Sequence, residues 1–433
     1  MRSSARCSGS DGSAYDVVIV GAGVMGASTA YWLKRLDPGL RIALIERDTS
    51  FSKASSSLSA SSIRQQFSCP VNIALSQFSI AFLRDVSKHL SLEGETVEIG
   101  LIEPGYLYLA NEAQAQGLRE SHAIQTRHGA PVSLLDRGEL KSRYPWLQLD
   151  DIALGSLGLR GEGWFDGPGL HRAFLKKALS LGVIQLHAEV KAIRCEANQP
   201  PARQSLRSLV LHDGREIRST HFVCAAGAWS GALVRDLAIC LPVYAARRTV
   251  FVLSCPTELV NCPLVIDSSG FWLRPEGRFL LAGIPPSVET TDAALLTGSV
   301  ETTDAALLTR HGKAPWPEDP PLDPDYNALD ENQWAVIAHR IPALSAMRIE
   351  RAWAGYYEMN AFDHNAVIGP FESFRNFYCI AGFSGHGMQH APGAGLALSE
   401  WILTGAPQSV DIRPLSHERL IQKRPLWELN VIG

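Results

Sequence analysis

The fold is decided by the stretch YDVVIVGAGVMGASTAYWLKRLDPGLRIALIE, which occupies residues 15–46. Residues 15–20 form a short β-branched apolar run, as expected for one buried parallel strand. Residues 24–36 follow with helical spacing, and Asp37-Pro38-Gly39 ends that helix. Residues 41–46 then read as a second strand. The segment therefore predicts a βαβ unit, which requires a parallel sheet.

A glycine pattern lies between the first strand and the helix. Gly21, Gly23 and Gly26 form G-x-G-x-x-G, in which the first permits the turn, the second lets backbone reach a pyrophosphate and the third brings helix and strand together. The helix N-terminus favours an anion there. Glu46 ends the second strand, where a carboxylate accepts hydrogen bonds from ribose hydroxyls. We therefore expect NAD or FAD, and not NADP, whose phosphate the acid would repel.

Two later segments bear on that choice. VCAAGAWS at 223–230 is a buried strand that ends in small residues and could pass near a cofactor, although a tight packing corner gives the same pattern. GFSGHGMQ at 382–389 precedes a helix expected over 392–403 and stopped by Gly405. Glycines before a helix let backbone approach a flat ligand, and a helix N-terminus would stabilise charge on a reduced flavin. The alternative is a turn without a ligand.

Composition excludes several classes of function. The 433 residues are 46% hydrophobic and 19% charged with a net charge of -4, which gives no attraction to nucleic acid. Eight cysteines without a C-x-x-C pair indicate reduced thiols, and we assign no metal site. Uninterrupted apolar runs are too short for a membrane span.

The N-terminus and one internal repeat stand apart from these motifs. Residues 1–14 contain Arg2, Arg6, five serines and one acid, as in part of a mitochondrial transit peptide or in a plain disordered tail. SVETTDAALLT at 287–297 recurs letter for letter at 299–309. We interpret the duplication as a surface insertion without chemistry.

The remaining pattern predicts a mixed α/β fold in which a Rossmann-type domain that binds NAD or FAD is interleaved with an antiparallel-sheet substrate domain. A serine-rich loop over a bound group is expected at 50–62, a half-exposed strand at 105–111 and a single strand at 183–193. Antiparallel strands are expected at 249–253, 270–274, 279–282 and 348–354. The expected FAD-binding domain comprises 15–98, 166–235 and 346–415, the substrate domain 99–165 and 236–345, and the tails 1–14 and 416–433.

In this order and spacing, the three glycine-containing segments resemble the D-amino-acid oxidase, glycine oxidase and sarcosine oxidase family of FAD-dependent enzymes, over residues 15 to about 411. The resemblance implies FAD as cofactor and a small-molecule amine as substrate, with hydride transfer from the α-carbon to flavin N5. It implies cofactor contacts from Gly21, Gly23, Gly26, Glu46, Arg47, Ser56, Val190, Ala226, Gly227, Trp229, Gly382, Gly385, His386, Gly387, Met388 and Gln389.

Arg64 is the first candidate for gripping a substrate carboxylate, although a salt bridge or a phosphate contact would explain it equally well. Arg274, Tyr356 and Gln389 are further candidates, while no catalytic acid or base is assigned. Three departures from the sarcosine oxidase pattern bear on chemistry. Gly355 replaces the cysteine that joins the flavin, Gln389 replaces a lysine, and no lysine is found near residues 271–274. The resemblance therefore implies non-covalent FAD and a dehydrogenase in preference to an oxidase.

Residues 61–68, 162–166, 351–357 and 382–387 resemble a mitochondrial branch of this family that is associated with assembly of respiratory complex I. This implies a location in the mitochondrial matrix or at the inner membrane, with a cytoplasmic location as the alternative. It also implies complex I subunits as partners and raises the alternative that FAD is mainly structural.

Overall fold

The computed structural model describes residues 14–196, 203–285 and 321–428. Residues 1–13 of the expected N-terminal tail and the duplicated segment at 287–309 lie outside the described residues. The helices are α1 (Val24–Leu36), α2 (Ser55–Leu58), α3 (Pro70–Arg84), α4 (Val86–Leu90), α5 (Ala115–Arg127), α6 (Arg137–Arg143), α7 (Gly167–Ser180), α8 (Ser230–Val234), α9 (Glu331–Arg340), α10 (Gly387–Thr404) and α11 (Glu418–Ile421).

The strands are β1 (Ala14–Val20), β2 (Ile42–Glu46), β3 (Ser62–Ile63), β4 (Tyr106–Ala110), β5 (Val132–Leu135), β6 (Leu154–Gly158), β7 (Gly163–Trp164), β8 (Ile184–His187), β9 (Val190–Cys195), β10 (Leu206–Leu211), β11 (Glu216–Cys224), β12 (Val243–Ser254), β13 (Leu264–Ile266), β14 (Trp272–Glu276), β15 (Phe279–Gly283), β16 (Arg348–Asn360), β17 (Val367–Pro370) and β18 (Phe377–Ala381).

The first sheet has the order β17-β18-β11-β1-β2-β8, with β10 and β9 added beside β11. Pairing is parallel from β18 through β11, β1 and β2 to β8, and antiparallel at β17. Its central strands are buried on both faces, which explains the continuous apolar runs of β1 and β2. The βαβ unit and the Rossmann-type class are thereby confirmed, and α1 has its expected bounds.

One face of this sheet is covered by α1, α3, α7 and α10. Small residues allow α1 and α10 to cross closely, since a Cβ added to Gly395 would lie 2.3 Å from Ser28 Oγ. On the other side of α1, the Tyr31 ring packs edge-on against Phe174 of α7 at 5.5 Å. This packing holds the N-terminus of α1 rigidly at the carboxyl edge of β1.

The second sheet has the order β16-β12-β15-β14-β13-β4-β6-β5. Its pairs are antiparallel apart from β13 with β4. The long pair of β12 and β16 runs from Val243 opposite Asn360 to Ser254 opposite Arg348. The expected antiparallel sheet is therefore present, and its strands β12 and β16 are longer than the sequence pattern indicated.

Four local expectations were wrong. The expected half-exposed strand forms β4, whose two faces are both buried because Leu107 and Leu109 pack into one hydrophobic cluster and Tyr106 and Tyr108 into another. The serine-rich loop contains the short helix α2, and the strand at 183–193 is divided into β8 and β9. The last helix begins at Gly387 and carries Pro392 inside it. Proline usually marks a helix start, but here buried Met388, Gln389 and Ala391 extend the helix towards the sheets.

The expected C-terminal tail at 416–433 is held against the body as far as it is described. Arg419 pairs with buried Asp363 at 2.7 Å, and Glu428 accepts hydrogen bonds from the amide and hydroxyl of Ser68, each at 2.7 Å. Across the described ranges, the helices are too short or too polar to span a bilayer.

Candidate functional site

A cavity of about 700 Å³ lies at the carboxyl edge of β1, β2 and β11, against the second sheet. Its walls come from the β1–α1 turn, the end of β2, the segments around α2 and β9, the strands β12, β14 and β16, and the start of α10. Of the residues expected at the cofactor or substrate site, all line this cavity except Gly26 and Gly382. The fold thus gathers candidates separated by more than 300 positions in the chain.

The glycine turn is shaped by close backbone contacts. Gly21 has a φ of +104°, and a Cβ there would lie 2.2 Å from the carbonyl oxygen of Ala225. Gly23 is the residue before α1 and faces the cavity. A Cβ on Gly26 would lie 1.9 Å from the Gly21 carbonyl oxygen, so this glycine serves helix-to-turn packing.

Two side chains from other segments accept hydrogen bonds from the backbone of the glycine turn. The Glu46 carboxylate accepts hydrogen bonds from the amides of Ala22 and Asp48, each at 2.9 Å. Ser56 Oγ accepts from the Val24 amide at 2.9 Å and so satisfies one donor at the start of α1. Since a carboxylate has about four lone-pair sites, Glu46 retains acceptor capacity towards the cavity.

The sequence did not point to His171 as part of this turn. Its Nε2 donates to the carbonyl oxygen of Ala22 at 2.8 Å, and its ring packs edge-on against Phe51 at 4.7 Å. Burial lowers the pKa of His171, so the imidazole is a neutral donor that fixes the turn. A histidine at an ordinary helical position of α7 carries no signal of this role in the sequence.

The end of the cavity beyond β2 is bounded by Arg47, Val190 and Trp229. The Arg47 guanidinium lies over the Trp229 ring at 4.4 Å and pairs with Glu189 at 3.5 Å. Both charged side chains are well exposed. Ala226 and Gly227 complete this wall without bulky side chains, leaving room for a flat ring.

The opposite end is formed by the start of α10 and β16. Gly385 has a φ of +94°, and a Cβ there would lie 2.6 Å from the Tyr357 ring. Gly387, Met388 and Gln389 line the same wall. Gly382 lies behind it, where a Cβ would meet Val243 at 2.8 Å, and therefore acts in packing.

Arg64 enters the cavity as a buried cation. Its Nη2 donates to Nε2 of His386 at 3.1 Å, and its amide donates to Oε1 of Gln389 at 2.8 Å. The guanidinium also lies over the Phe67 ring at 4.5 Å. Burial first, and then the charge of Arg64, holds the pKa of His386 well below its usual range. His386 is therefore a neutral acceptor that helps orient Arg64.

The other two substrate candidates lie on the second sheet. Buried Arg274 donates through Nη2 to the Ala60 carbonyl oxygen at 2.7 Å and lies over the Trp164 ring at 5.1 Å. Its Nε is buried without a hydrogen-bond partner among the described residues. Tyr356 is buried and meets the Trp229 ring edge-on at 5.7 Å. Branched and aromatic side chains border this part of the cavity: Val250, Leu264, Ile266, Trp272 and Ile284.

Two buried carboxyl groups were not assigned from the sequence. Glu162 accepts from the Gln65 amide at 2.7 Å and from Gln66 Nε2 at 2.8 Å, and burial raises its pKa to about 7. Glu358 lines the cavity, accepts from the Gly382 amide at 3.2 Å and also has a pKa raised by burial to about 7. The raised pKa of each carboxyl group results from burial among residues distant in the chain, so the sequence alone does not reveal it.

These features fit an adenine dinucleotide with a flat second ring. A helix N-terminus and a side-chain-free turn suit the pyrophosphate, and Glu46 beside them suits a ribose. Glycine-walled space at the start of α10 suits an isoalloxazine ring. The described residues contain no group of three or more His, Cys, Asp or Glu that could hold a metal ion.

Comparison with known proteins gives a consistent result. A family model described as FAD dependent oxidoreductase (DAO) matches residues 16–401. FAD-dependent oxidoreductase domain-containing protein 1 of Xenopus laevis is 37% identical over 96% of this chain and 85% of its own length. Glycine oxidase of Geobacillus kaustophilus is 25% identical over 94% of this chain and 98% of its own.

Among solved structures, L-proline dehydrogenase from P. horikoshii superposes with a TM-score of 0.77 and 23% identity, over 95% of this chain and 99% of that one. At this identity the likeness concerns the fold, and it agrees with the interleaved arrangement of the two sheets. The family model matches most of the chain, so the sequence as well as the fold agrees with this family. The chain belongs to the DAO family of FAD-dependent oxidoreductases.

Proposed function

We propose that this chain oxidises a C–N bond of an amino acid or secondary amine whose carboxylate is bound by Arg64. The observation that carries the proposal is the buried Arg64 guanidinium, which lines the cavity and is oriented by His386 and by stacking on Phe67. A planar guanidinium matches a carboxylate bidentately and stays charged at any physiological pH. A relative named glycine oxidase supports an amino acid as substrate.

The chain's residues would hold FAD without a covalent bond. The amides at the start of α1, with Gly21 and Gly23, would bind the pyrophosphate, and Glu46 the adenosine ribose. Arg47, Val190, Ala226 and Trp229 would enclose the adenine end, and Gly385 to Gln389 the flavin end. Gly355 offers no side chain for attachment, and the described residues that line the cavity include no cysteine.

Bound FAD supplies the hydride acceptor, its N5 atom. Arg64 would orient the substrate so that its α-carbon faces the flavin, which replaces a bimolecular search by a held geometry. Neutral His386 already accepts from Arg64 and so leaves the guanidinium correctly turned. Buried walls exclude water until the imine product leaves and is hydrolysed in solution.

The apolar wall indicates the class of substrate. Val250, Leu264, Ile266 and Trp272 form a continuous surface on the side of the cavity provided by the second sheet. Burying a branched or aromatic group there contributes about 1.5–3 kcal/mol. We therefore propose an amino acid with an apolar side chain or N-substituent in preference to glycine.

The residues of the cavity wall also support a choice between dehydrogenase and oxidase. Lys53 is the lysine found among the described lining residues, and it belongs to the serine-rich segment beside α2, not to the second sheet. The absence of a flavin-side lysine in that set supports a dehydrogenase. Slow reoxidation of the reduced flavin by dissolved oxygen would agree with this assignment.

The test is anaerobic mixing of the purified flavoprotein with a panel of α-amino and N-methyl amino acids, followed by the flavin spectrum. We expect an apolar amino acid to bleach the flavin. Arg64→Ala should lower the second-order reduction rate by about a hundredfold or more, because a buried charge partner is removed, and Arg64→Lys should lower it less. Arg172→Lys changes an exposed arginine and is the matched control. Equal rates for Arg64→Ala and Arg172→Lys would refute the assignment.

A second candidate is a mitochondrial assembly factor for complex I in which FAD is mainly structural. One observation in its favour is the 37% identity to FAD-dependent oxidoreductase domain-containing protein 1 of Xenopus laevis, together with the sequence resemblance to a family branch associated with complex I assembly. The other is that the described residues lining the cavity from the second sheet include no lysine. Cells that lack the chain would be complemented with wild type or Arg64→Ala, and complex I assembly measured. Full rescue by an FAD-loaded but inactive Arg64→Ala protein would favour this candidate, and failure of rescue would favour catalysis.

A further inference from the structure

Glu358 is a buried carboxyl group in the flavin end of the cavity. It lies on β16 opposite Ala245 of β12, and its side chain accepts a hydrogen bond from the Gly382 amide at 3.2 Å. The backbone carbonyl of Glu358 accepts from Ser384 at 3.1 Å. The residue is therefore fixed both by its strand and by the turn that precedes α10.

The carboxyl oxygens of Glu358 approach two glycines that line the cavity. A Cβ on Gly387 would lie 3.2 Å from Oε1, and a Cβ on Gly227 would lie 3.8 Å from Oε2. Both glycines expose backbone to the cavity. Glu358 thus occupies the place where two turns, which follow the neighbouring parallel strands β11 and β18 at the carboxyl edge of the sheet, meet at the cavity.

Glu358 differs from the other acids that line the cavity. Glu46, Asp48 and Glu189 lie at the ends of β2 and β8 and are partly or fully exposed, whereas Glu358 is 9% exposed. Among the described residues Glu358 takes part in no ion pair. Desolvation by burial raises its pKa to about 7, against two backbone hydrogen bonds that lower it.

The titratable groups that face Glu358 come from three neighbouring elements. Cys224 of β11 and Cys379 of β18 interact electrostatically with it. Burial raises the pKa of Cys379, and the Glu358 charge acts in the same direction at both thiols. A hydrogen bond from Cys379 outweighs this at Cys224 and lowers the Cys224 pKa. His386, before α10, is neutral because burial holds its pKa well below the usual range.

The strand paired with β16 carries two arginines. Arg247 of β12 lies two residues from Ala245 and so faces the same side as Glu358, and it is paired with Asp325 at 3.8 Å. Arg248 lines the cavity and lies over the Tyr357 ring at 5.5 Å. The surroundings of Glu358 therefore contain thiols, a neutral imidazole and two arginines, one paired with an acid and the other stacked on a tyrosine.

We propose that Glu358 takes up a proton when FAD binds and, in its neutral form, donates a hydrogen bond to an oxygen of the cofactor. The cofactor carries two negative phosphates and excludes water from the cavity, and both effects disfavour an ionised carboxyl. An ionised carboxylate is also an acceptor only, whereas the neutral acid has one O–H donor. One proton from solvent accompanies each FAD, so the affinity for FAD must fall as the pH rises above the pKa of Glu358 in the apoprotein.

The test titrates apoprotein with FAD, followed by flavin fluorescence, across about pH 6 to 9, where FAD phosphates do not change charge. For wild type we expect the Kd to rise above pH 7, approaching tenfold per pH unit. Glu358→Gln, which keeps the shape and an acceptor for Gly382, should bind with a nearly constant Kd close to the wild-type value at low pH. Cys224→Ser should keep the wild-type slope. A flat wild-type curve, or the same slope in Glu358→Gln, overturns the proposal.

A second measurement needs no variant. Calorimetry of FAD binding to wild-type apoprotein near pH 8, in buffers of different ionisation enthalpy, counts the protons taken up. Uptake approaching one proton supports the proposal, and zero uptake overturns it. Because no amine is present in either experiment, the outcome does not depend on whether the chain oxidises one.

Discussion

Replacing Glu46 by Gln tests the assignment of the dinucleotide site most directly. Each carboxylate oxygen already accepts one backbone amide, Ala22 on one side and Asp48 on the other, both at 2.9 Å. The amide of Gln can serve one of them with its oxygen and must present N–H to the other. The substitution thus removes acceptors from the turn and from the ribose at the same time.

The size of the effect follows from that count. A hydrogen bond to a charged group contributes about 1.5–3 kcal/mol. Loss of one such bond from a ribose hydroxyl should weaken FAD binding by about tenfold to a hundredfold, since 1.4 kcal/mol is a factor of ten. Glu189→Gln is the matched control, because Glu189 lines the same cavity but is exposed and paired with Arg47 at 3.5 Å. An exposed pair contributes about 0–1 kcal/mol, so the control should change the Kd by fivefold at most.

The assay is titration of each apoprotein with FAD, with fluorescence quenching as the signal and circular dichroism as the check on folding. A Kd for Glu46→Gln within twofold of wild type would refute the reasoning. An equal loss in Glu189→Gln would show that overall charge at this end of the cavity, and not the position of Glu46, governs affinity.

Two further predictions concern packing and attachment of the cofactor. Gly26→Ala should destabilise the protein by more than about 3 kcal/mol in thermal or urea unfolding, because the new Cβ meets a carbonyl oxygen at 1.9 Å. Gly117→Ala, at an exposed position of α5 with open space around it, should instead stabilise it by about 0.5–1 kcal/mol. Equal effects would contradict the packing role. Acid precipitation of the flavoprotein should leave all the FAD in the supernatant, and a yellow pellet would disprove non-covalent binding.

The sequence predicted the features whose physics is local. The bounds of α1 and, within one residue, those of β1 and β2 were obtained from periodicity and from glycine punctuation, since these elements are set by short-range pattern. The sequence predicted that the glycine turn and Glu46 lie together, because a phosphate-binding turn needs these residue types at fixed spacing, and Gly21, Gly23 and Glu46 line the same cavity. Gly26 packs the helix against the turn, as its place in the motif suggested, whereas Gly382, expected to contact the cofactor, also acts in packing behind the cavity.

The features that the sequence did not predict depend on long-range burial. His171, Glu162 and Glu358 are ordinary polar residues in the sequence, and their roles arise from neighbours distant in the chain. Strand β4 shows the same limit, because its alternating aromatic residues indicated one exposed face, whereas each face packs into its own hydrophobic cluster. The hydrophobic pattern of a helix or strand indicates which of its faces is buried. The pKa and the orientation of a polar side chain depend instead on every group packed against it.

The segment that carries Arg64 shows why the two sheets must be interleaved. Glu162, just before β7, fixes the amide of Gln65 at 2.7 Å, and Ser156 of β6 donates to Gln66 Oε1 at 2.7 Å. Gln389 of α10 holds the Arg64 amide from the side of the parallel sheet. The backbone that carries the guanidinium is therefore fixed by groups from both layers, so under the proposed function neither layer alone would define where a substrate carboxylate binds. A chain that leaves the parallel sheet and returns to it can hold a cation in the cavity between its two sheets, because each return adds a rigid anchor.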